Sequence, residues 1–230
     1  MERRKMTREE ICEFLVKARI EHEPTKFENI SFMHQDLSEI AFMDCDFINC
    51  RFHQCELTDA NFTGSTFYET QFSFCDMTET NFDRCHFASF FFDLCYVNNT
   101  IFCYSTLKNG GFMDCRITEC DMTQTYQFNV SYTRGYIGDS QFPYSTLIDV
   151  AYYQVEQNFN MYNDIDCHHI TMDNPTLREI YLKPFGDEIT IYGGYDNNNP
   201  PEPVETYKEF AVHLLVNTKG EAQVTLAEEV

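Results

Sequence analysis

The sequence predicts an all-β repeat solenoid, a square coil with one five-residue segment along each side. Three observations predict it. From Phe27 onward every fifth residue is large and apolar: Phe27, Phe32, Leu37, Phe42, Phe47, Phe52, Leu57 and so on to Met122. After a miss at Gln127 the series resumes with Tyr132, Ile137, Phe142, Leu147 and Tyr152. The position two before each of these centres is small, as at Cys45, Cys50, Cys55, Ala60, Ser65, Thr70 and Cys75, with Phe90 as the exception. The chain also holds 22 Phe and no Trp among 230 residues, the composition of a narrow core with room for one ring per side. Neither a helix (period 3.6) nor a strand (period 2.0) generates a period of five. Four pentads close one turn of twenty residues, and successive turns stack as parallel ladders about 4.8 Å apart.

The elements follow in order. Thr7-Arg8-Glu9-Glu10 is a capping-box pattern with Ile11, Phe14, Leu15 and Ala18 on one helical face behind it, so residues 7–22 are expected to form a helix over the first coil. Residues 1–24 make this cap, 25–174 the coil, and 175–230 a C-terminal cap or dimerisation segment. Within the last, Ile189–Tyr192 reads as a strand and Asp196–Pro203 as a linker. Val204, Tyr207, Phe210, Ala211, Leu214 and Leu215 read as an amphipathic helix, and acidic 221–230 as a frayed tail. Bulges are expected near Phe90-Phe91-Phe92 and Tyr126-Gln127-Phe128.

Spacing by twenty sorts the centres into four columns, one per face. Three are mostly Phe; the fourth is aliphatic, with Leu37, Leu57, Met77, Val97, Ile117 and Ile137. Eight of the 11 cysteines (45, 50, 55, 75, 85, 95, 115 and 120) fall at the small inward position. Parallel Cβ atoms about 4.8 Å apart are too distant for an unstrained disulfide, so these read as small buried residues of a reducing compartment.

The pentads CDFIN (45–49), CRFHQ (50–54), CELTD (55–59), ANFTG (60–64), CDMTE (75–79), TNFDR (80–84) and CDMTQ (120–124) closely resemble the pentapeptide-repeat family. The resemblance implies a right-handed quadrilateral parallel β-helix with short helical caps. It further implies, through the Qnr and MfpA types of that family, a dimeric acidic rod that mimics duplex DNA and engages DNA gyrase or topoisomerase IV. The chain shares the uninterrupted rod and the acidic excess with those types. It differs in a longer C-terminal part and in lacking the loop insertions many of them carry.

No phosphate-binding loop, dinucleotide fingerprint, zinc-protease or nucleophile-elbow motif appears, so neither an enzyme nor a cofactor is expected. Cys167-His168-His169, with Asp164 and Asp166 nearby, matches no zinc spacing and reads as packing at the coil end rather than a metal site. The N-terminal stretch turns charged before any signal-peptide core, and no apolar run spans a bilayer, which predicts a cytoplasmic protein without membrane contact. With 37 acidic and 16 basic residues, a net charge of −21, direct binding to nucleic acid is excluded.

The charge is directional. The face with aliphatic centres carries Asp36, Glu39, Glu56, Asp59, Asp76, Glu79, Glu119, Asp139 and Glu156, with Arg116 its only base. Two ladders emerge, Asp36–Glu56–Asp76 and Glu39–Asp59–Glu79 followed by Asn99, Glu119 and Asp139. The expected partner is the basic, DNA-binding surface of a protein. The alternative is a scaffold or bacterial effector that binds protein through outward aromatics, Phe74, Phe91, Tyr96 and Tyr104 above all.

Overall fold

The computed structural model describes residues 3–22, 24–158, 160–168 and 170–173, and beyond them the strand segments 177–178, 180–184, 189–192, 203–207, 212–216 and 222–226. The coil is a parallel β-solenoid of about seven turns. Its register is strict: Phe27 pairs with Phe47, Phe47 with Phe67, Phe112 with Tyr132 and Tyr132 with Tyr152, always twenty residues apart. Each centre is buried, and the rings of one face stack from turn to turn. Phe32, Phe52, Phe72, Phe92, Phe112, Tyr132 and Tyr152 form a continuous column with centroids 4.4–5.0 Å apart. Neighbouring columns meet edge to face, as at Phe42–Phe47 (5.6 Å, 71°). Full burial of each ring contributes about 1.5–3 kcal/mol, and each favourable ring pair about 0.5–1.5 kcal/mol more.

The small inward position is more than small. At many of these positions the hydroxyl or thiol donates to the carbonyl oxygen 23 residues earlier, as Ser65 to Phe42 (2.7 Å), Thr80 to Leu57 (2.8 Å), Ser105 to Phe82 (2.6 Å), Cys85 to Phe62 (3.0 Å) and Cys120 to Val97 (3.4 Å), whereas Cys45, Cys75, Cys95 and Cys115 donate to the carbonyl two residues before. Ser, Thr and Cys interchange there because each is compact and carries a donor. All eight inward cysteines are free and buried. Desolvation pushes the Cys45 thiol up to about 12 and the Cys50 thiol up to about 11.

The corner closing each pentad turns left-handed. From Asn29 to Gln154 every fifth residue has positive φ. Asn, Asp and Gly accept this conformation most readily, which explains Asn29, Asp44, Asn49, Asp59 and Gly64. Phe74, Leu94, Tyr104 and Tyr144 hold the same conformation at φ between 52 and 58° despite their bulk.

The two expected bulges are absent. Phe91 pairs in register with Gln71 and Gly111, and Tyr126 with Thr106 and Thr146. Phe90 sits in the small column, buried, and fits because Gly110 occupies the same column one turn on; a Cβ there would meet the Phe90 carbonyl and ring. Gln127 occupies a centre, fully buried, and its Oε1 accepts from the Tyr132 hydroxyl at 3.0 Å. The five-residue phase therefore runs through it without a break.

At the start, Arg8–Glu21 form the helix α1 with the predicted capping box: the Thr7 hydroxyl accepts from the Glu10 amide, and the Glu10 carboxylate from the Thr7 amide. Ile11, Leu15 and Ala18 are buried, and Phe14 packs edge-on against Phe27 at 5.2 Å. Arg8 and Arg19 reach the coil through the carbonyls of Asp36, Ser38 and Ala41.

The other end differs from expectation. Ile189–Tyr192 is a strand, as predicted, but the amphipathic helix at 204–215 is replaced by strands Pro203–Tyr207 and Val212–Val216. These pair antiparallel with Ile189–Tyr192 and Ile180–Pro184, and Ala222–Leu226, read as tail, pairs antiparallel with Val212–Val216. Apolar runs this short satisfy helix and strand spacing alike, and the unpaired edge of the last coil decides for strands. Thus α1 is the one helix among the described residues, not one of a pair of helical caps. The 196–202 linker lies outside them.

Candidate acidic interface

The structure aligns the predicted ladders. Asp36 bridges to Glu56, Glu56 to Asp76 and Asp76 to Tyr96 in parallel register, and the column continues through Arg116, Tyr136 and Glu156. The second column stands on the left-handed corner. Glu39, Asp59, Glu79, Asn99, Glu119 and Asp139 have φ between 49 and 60°, and the backbone amide of each donates to a carbonyl of the next turn.

The two columns differ in what their carboxylates do. Asp36 and Asp76 accept from the amide two residues on, Ser38 at 2.9 Å and Thr78 at 3.0 Å, the same local turn that Asn61, Asn81 and Asp121 make on another face. Hydrogen bonds from the Ser38 backbone and hydroxyl, with Arg8 a lesser contributor, hold Asp36 below the usual carboxylate range. Arg8 also lies 3.6 Å from that carboxylate. Glu39, Glu56, Asp59, Glu79, Glu119 and Asp139 are exposed and have no side-chain partner among the described residues. The corner ladder therefore has no local structural use for its charge.

The charge is concentrated in three turns. Asp36, Glu39, Glu56, Asp59, Asp76 and Glu79 occupy three consecutive rungs, about 14 Å of axis, and with Arg8 beside Asp36 the net density is one charge per about 2.9 Å. Duplex DNA carries one charge per about 1.7 Å. Beyond Glu79 the face thins to Tyr96, Asn99, Arg116, Glu119, Tyr136, Asp139 and Glu156, where Arg116 lies over the Tyr136 ring at 4.7 Å.

The four aromatics do not form one surface. Phe74 (49% exposed) and Tyr96 (41%) flank the corner that opens onto the acidic face. Tyr104 (54%) stands at the diagonally opposite corner beneath Arg84, and Phe91 is half-buried in the middle of a sheet ladder. Leu94 (45% exposed), which sequence reasoning missed, joins Phe74 directly, one turn on in the same column. Twenty-residue spacing was the signal that could have found it.

Among the described residues no three His, Cys, Asp or Glu side chains are grouped to hold a metal ion, and the Cys167, His168 and His169 side chains lie outside them. No helix among the described residues is long and apolar enough to cross a membrane.

Comparison with known proteins adds the following. Residues 45–84 match the family model described as pentapeptide repeats, in eight copies. A search of curated proteins gave no significant match. Among solved structures the chain is similar to the pentapeptide repeat protein Rfr23 of the cyanobacterium Cyanothece 51142, at 10% identity and TM-score 0.41 over 56% of this chain and 97% of that one. It is similar to QnrB1, a plasmid-mediated fluoroquinolone resistance protein, at 16% identity and TM-score 0.30 over 65% and 84%. It is also similar to HetL, a pentapeptide repeat protein involved in heterocyst differentiation regulation from Nostoc sp. strain PCC 7120, at 11% identity and TM-score 0.27 over 73% and 81%. The matched segment 45–84 is similar to pentapeptide repeats, and the turns on either side of it keep the same pentad geometry.

Proposed function

We propose that the chain is a non-enzymatic interaction rod that presents its acidic face, as a mimic of duplex DNA, to the basic DNA site of a DNA-processing protein. The observation that carries this reading is the charge density of the first three turns, within a factor of two of the duplex value. Its cost supports it. Like charges about 5 Å apart in water repel by roughly 0.8 kcal/mol before screening, and the corner column sustains that repulsion without a local hydrogen bond in return. The resemblance to the Qnr and MfpA types makes DNA gyrase and topoisomerase IV the first partners to test. The free buried thiols agree with a cytoplasmic setting. A second copy would pair through 175–230, and a constant monomer mass in light scattering across a concentration series removes that dimer.

The test is a supercoiling assay with purified protein beside a variant carrying Glu39→Lys, Asp59→Lys and Glu79→Lys. The wild-type chain should alter gyrase or topoisomerase IV activity and the variant should not. No effect on either enzyme removes them as partners. An effect that survives the charge reversal removes mimicry.

A further inference from the structure

An apolar patch borders the acidic face. Phe74 and Leu94 are neighbours on successive turns, half-exposed, at the corner leading onto that face, and Tyr96 lies two residues beyond Leu94. One feature sets the patch apart from ordinary surface. Phe74 (φ 55°) and Leu94 (φ 52°) occupy a left-handed corner where a bulky side chain carries a steric cost that Asn or Gly avoids, and both then leave apolar surface in water. Beside it stands Tyr96, which like exposed Tyr68, Tyr144 and Tyr153 has no cation of the chain over its ring among the described residues. Tyr104, Tyr126 and Tyr136 each lie beneath a cation of the chain itself, Arg84, Lys108 and Arg116, at 5.7, 5.1 and 4.7 Å. The Tyr96 ring stands in its column between Asp76 on the preceding turn and Arg116, which is turned over Tyr136, on the following one.

We infer that this corner is the specificity element of the acidic interface: it takes an arginine-rich protein segment that also carries an apolar residue. The apolar side chain packs on Phe74 and Leu94, one guanidinium lies over Tyr96, and further arginines meet Asp76, Glu56 and Glu79. The inference rests on the acidic-face reading and adds to it. Charge alone would admit any polycation, and the corner selects among them.

The experiment uses two fluorescent peptides of about a dozen residues, both arginine-rich. One has a central Leu-Phe pair and the other Ala-Ala in its place. Binding to the full chain is read by anisotropy, with the double variant Phe74→Asn, Leu94→Asn alongside. The Leu-Phe peptide should bind wild type at least about tenfold more tightly than the Ala-Ala peptide. The double variant should bind both peptides equally, at the Ala-Ala level, with a melting temperature equal to or above wild type because Asn suits the corner. Equal binding of both peptides to wild type overturns the inference and leaves the acidic reading standing. Binding of neither peptide at low salt overturns both. The comparison on wild type needs no variant, so it stands whatever the substitutions do to folding.

Discussion

Gly110→Ala tests how tightly the coil couples one turn to the next. A Cβ added at 110 would lie 2.6 Å from the Phe90 Cδ1 and closer still to the Phe90 carbonyl oxygen. Ordinary contact begins near 3.4 Å. A ring can tilt aside, but the carbonyl belongs to the ladder, so relief requires the turn itself to shift. Overpacking of this kind costs about 1–3 kcal/mol, and the backbone partner puts the cost toward the upper end. Phe90→Val alone should cost about 2–3 kcal/mol through lost burial and the cavity left beside Gly110. Made together, the two substitutions leave the column with residues no larger than those at Thr70, Val130 and Val150, which are buried there without difficulty. Phe90→Val relieves the ring contact but not the carbonyl contact, so the double variant should lose less than the summed single losses by about 1 kcal/mol. Urea denaturation followed by circular dichroism gives all four stabilities. Additivity within about 0.5 kcal/mol would refute the compensation and return Phe90 to an ordinary core position.

Two further outcomes are expected. Asp59→Asn removes repulsion with Glu39 on the turn before and Glu79 on the turn after, while Asn keeps the corner conformation that Asn99 adopts in the same column. Two contacts of roughly 0.8 kcal/mol, about halved by screening at 0.15 M salt, predict a gain of a little under 1 kcal/mol. The gain should vanish in 1 M salt, and a salt-independent gain would show that the ladder is not under electrostatic strain. For the thiols, burial keeps Cys45, Cys50 and Cys120 protonated well above pH 8. A thiol reagent at pH 8 should label half-buried Cys12 on the helix quickly and the eight inward cysteines only after denaturant is added. Rapid native labelling of all of them would contradict the closed core.

Much of the coil was legible because its period is short and its two inward positions have different chemical demands. Phe27 to Met122 could be placed facing inward from spacing alone. Gln127 broke the pattern on paper because an amide looks wrong at a core centre; it is right in the fold because Tyr132, a turn side later, supplies a hydroxyl. Phe90 misled for a similar reason, since its remedy, Gly110, lies twenty residues away and only a column-wise reading joins them. The acidic face was legible as a count. Its division into turn-forming Asp36 and Asp76 and unpartnered Glu39, Asp59 and Glu79 was not, because that division depends on backbone conformation. The C-terminal strands were hidden by length: five-residue apolar runs do not distinguish helix from strand, and an open edge decides.

The left-handed corner at every fifth residue has a consequence for how such a chain can change by insertion and deletion. Loss or gain of one residue throws the later centres out of the core unless a corner loops out or a ladder shifts register, as it does between Tyr162 and Ile165. Gain of five restores every centre to the interior but rotates all later turns by one side of the square, so the Glu39–Asp59–Glu79 line would continue on a different face. Only a gain of twenty lengthens the line itself. Folding is thus insensitive to shifts that are multiples of five, and the surface is insensitive only to multiples of twenty. A lineage of such coils can turn its charged stripe through a right angle in one step without disturbing its core.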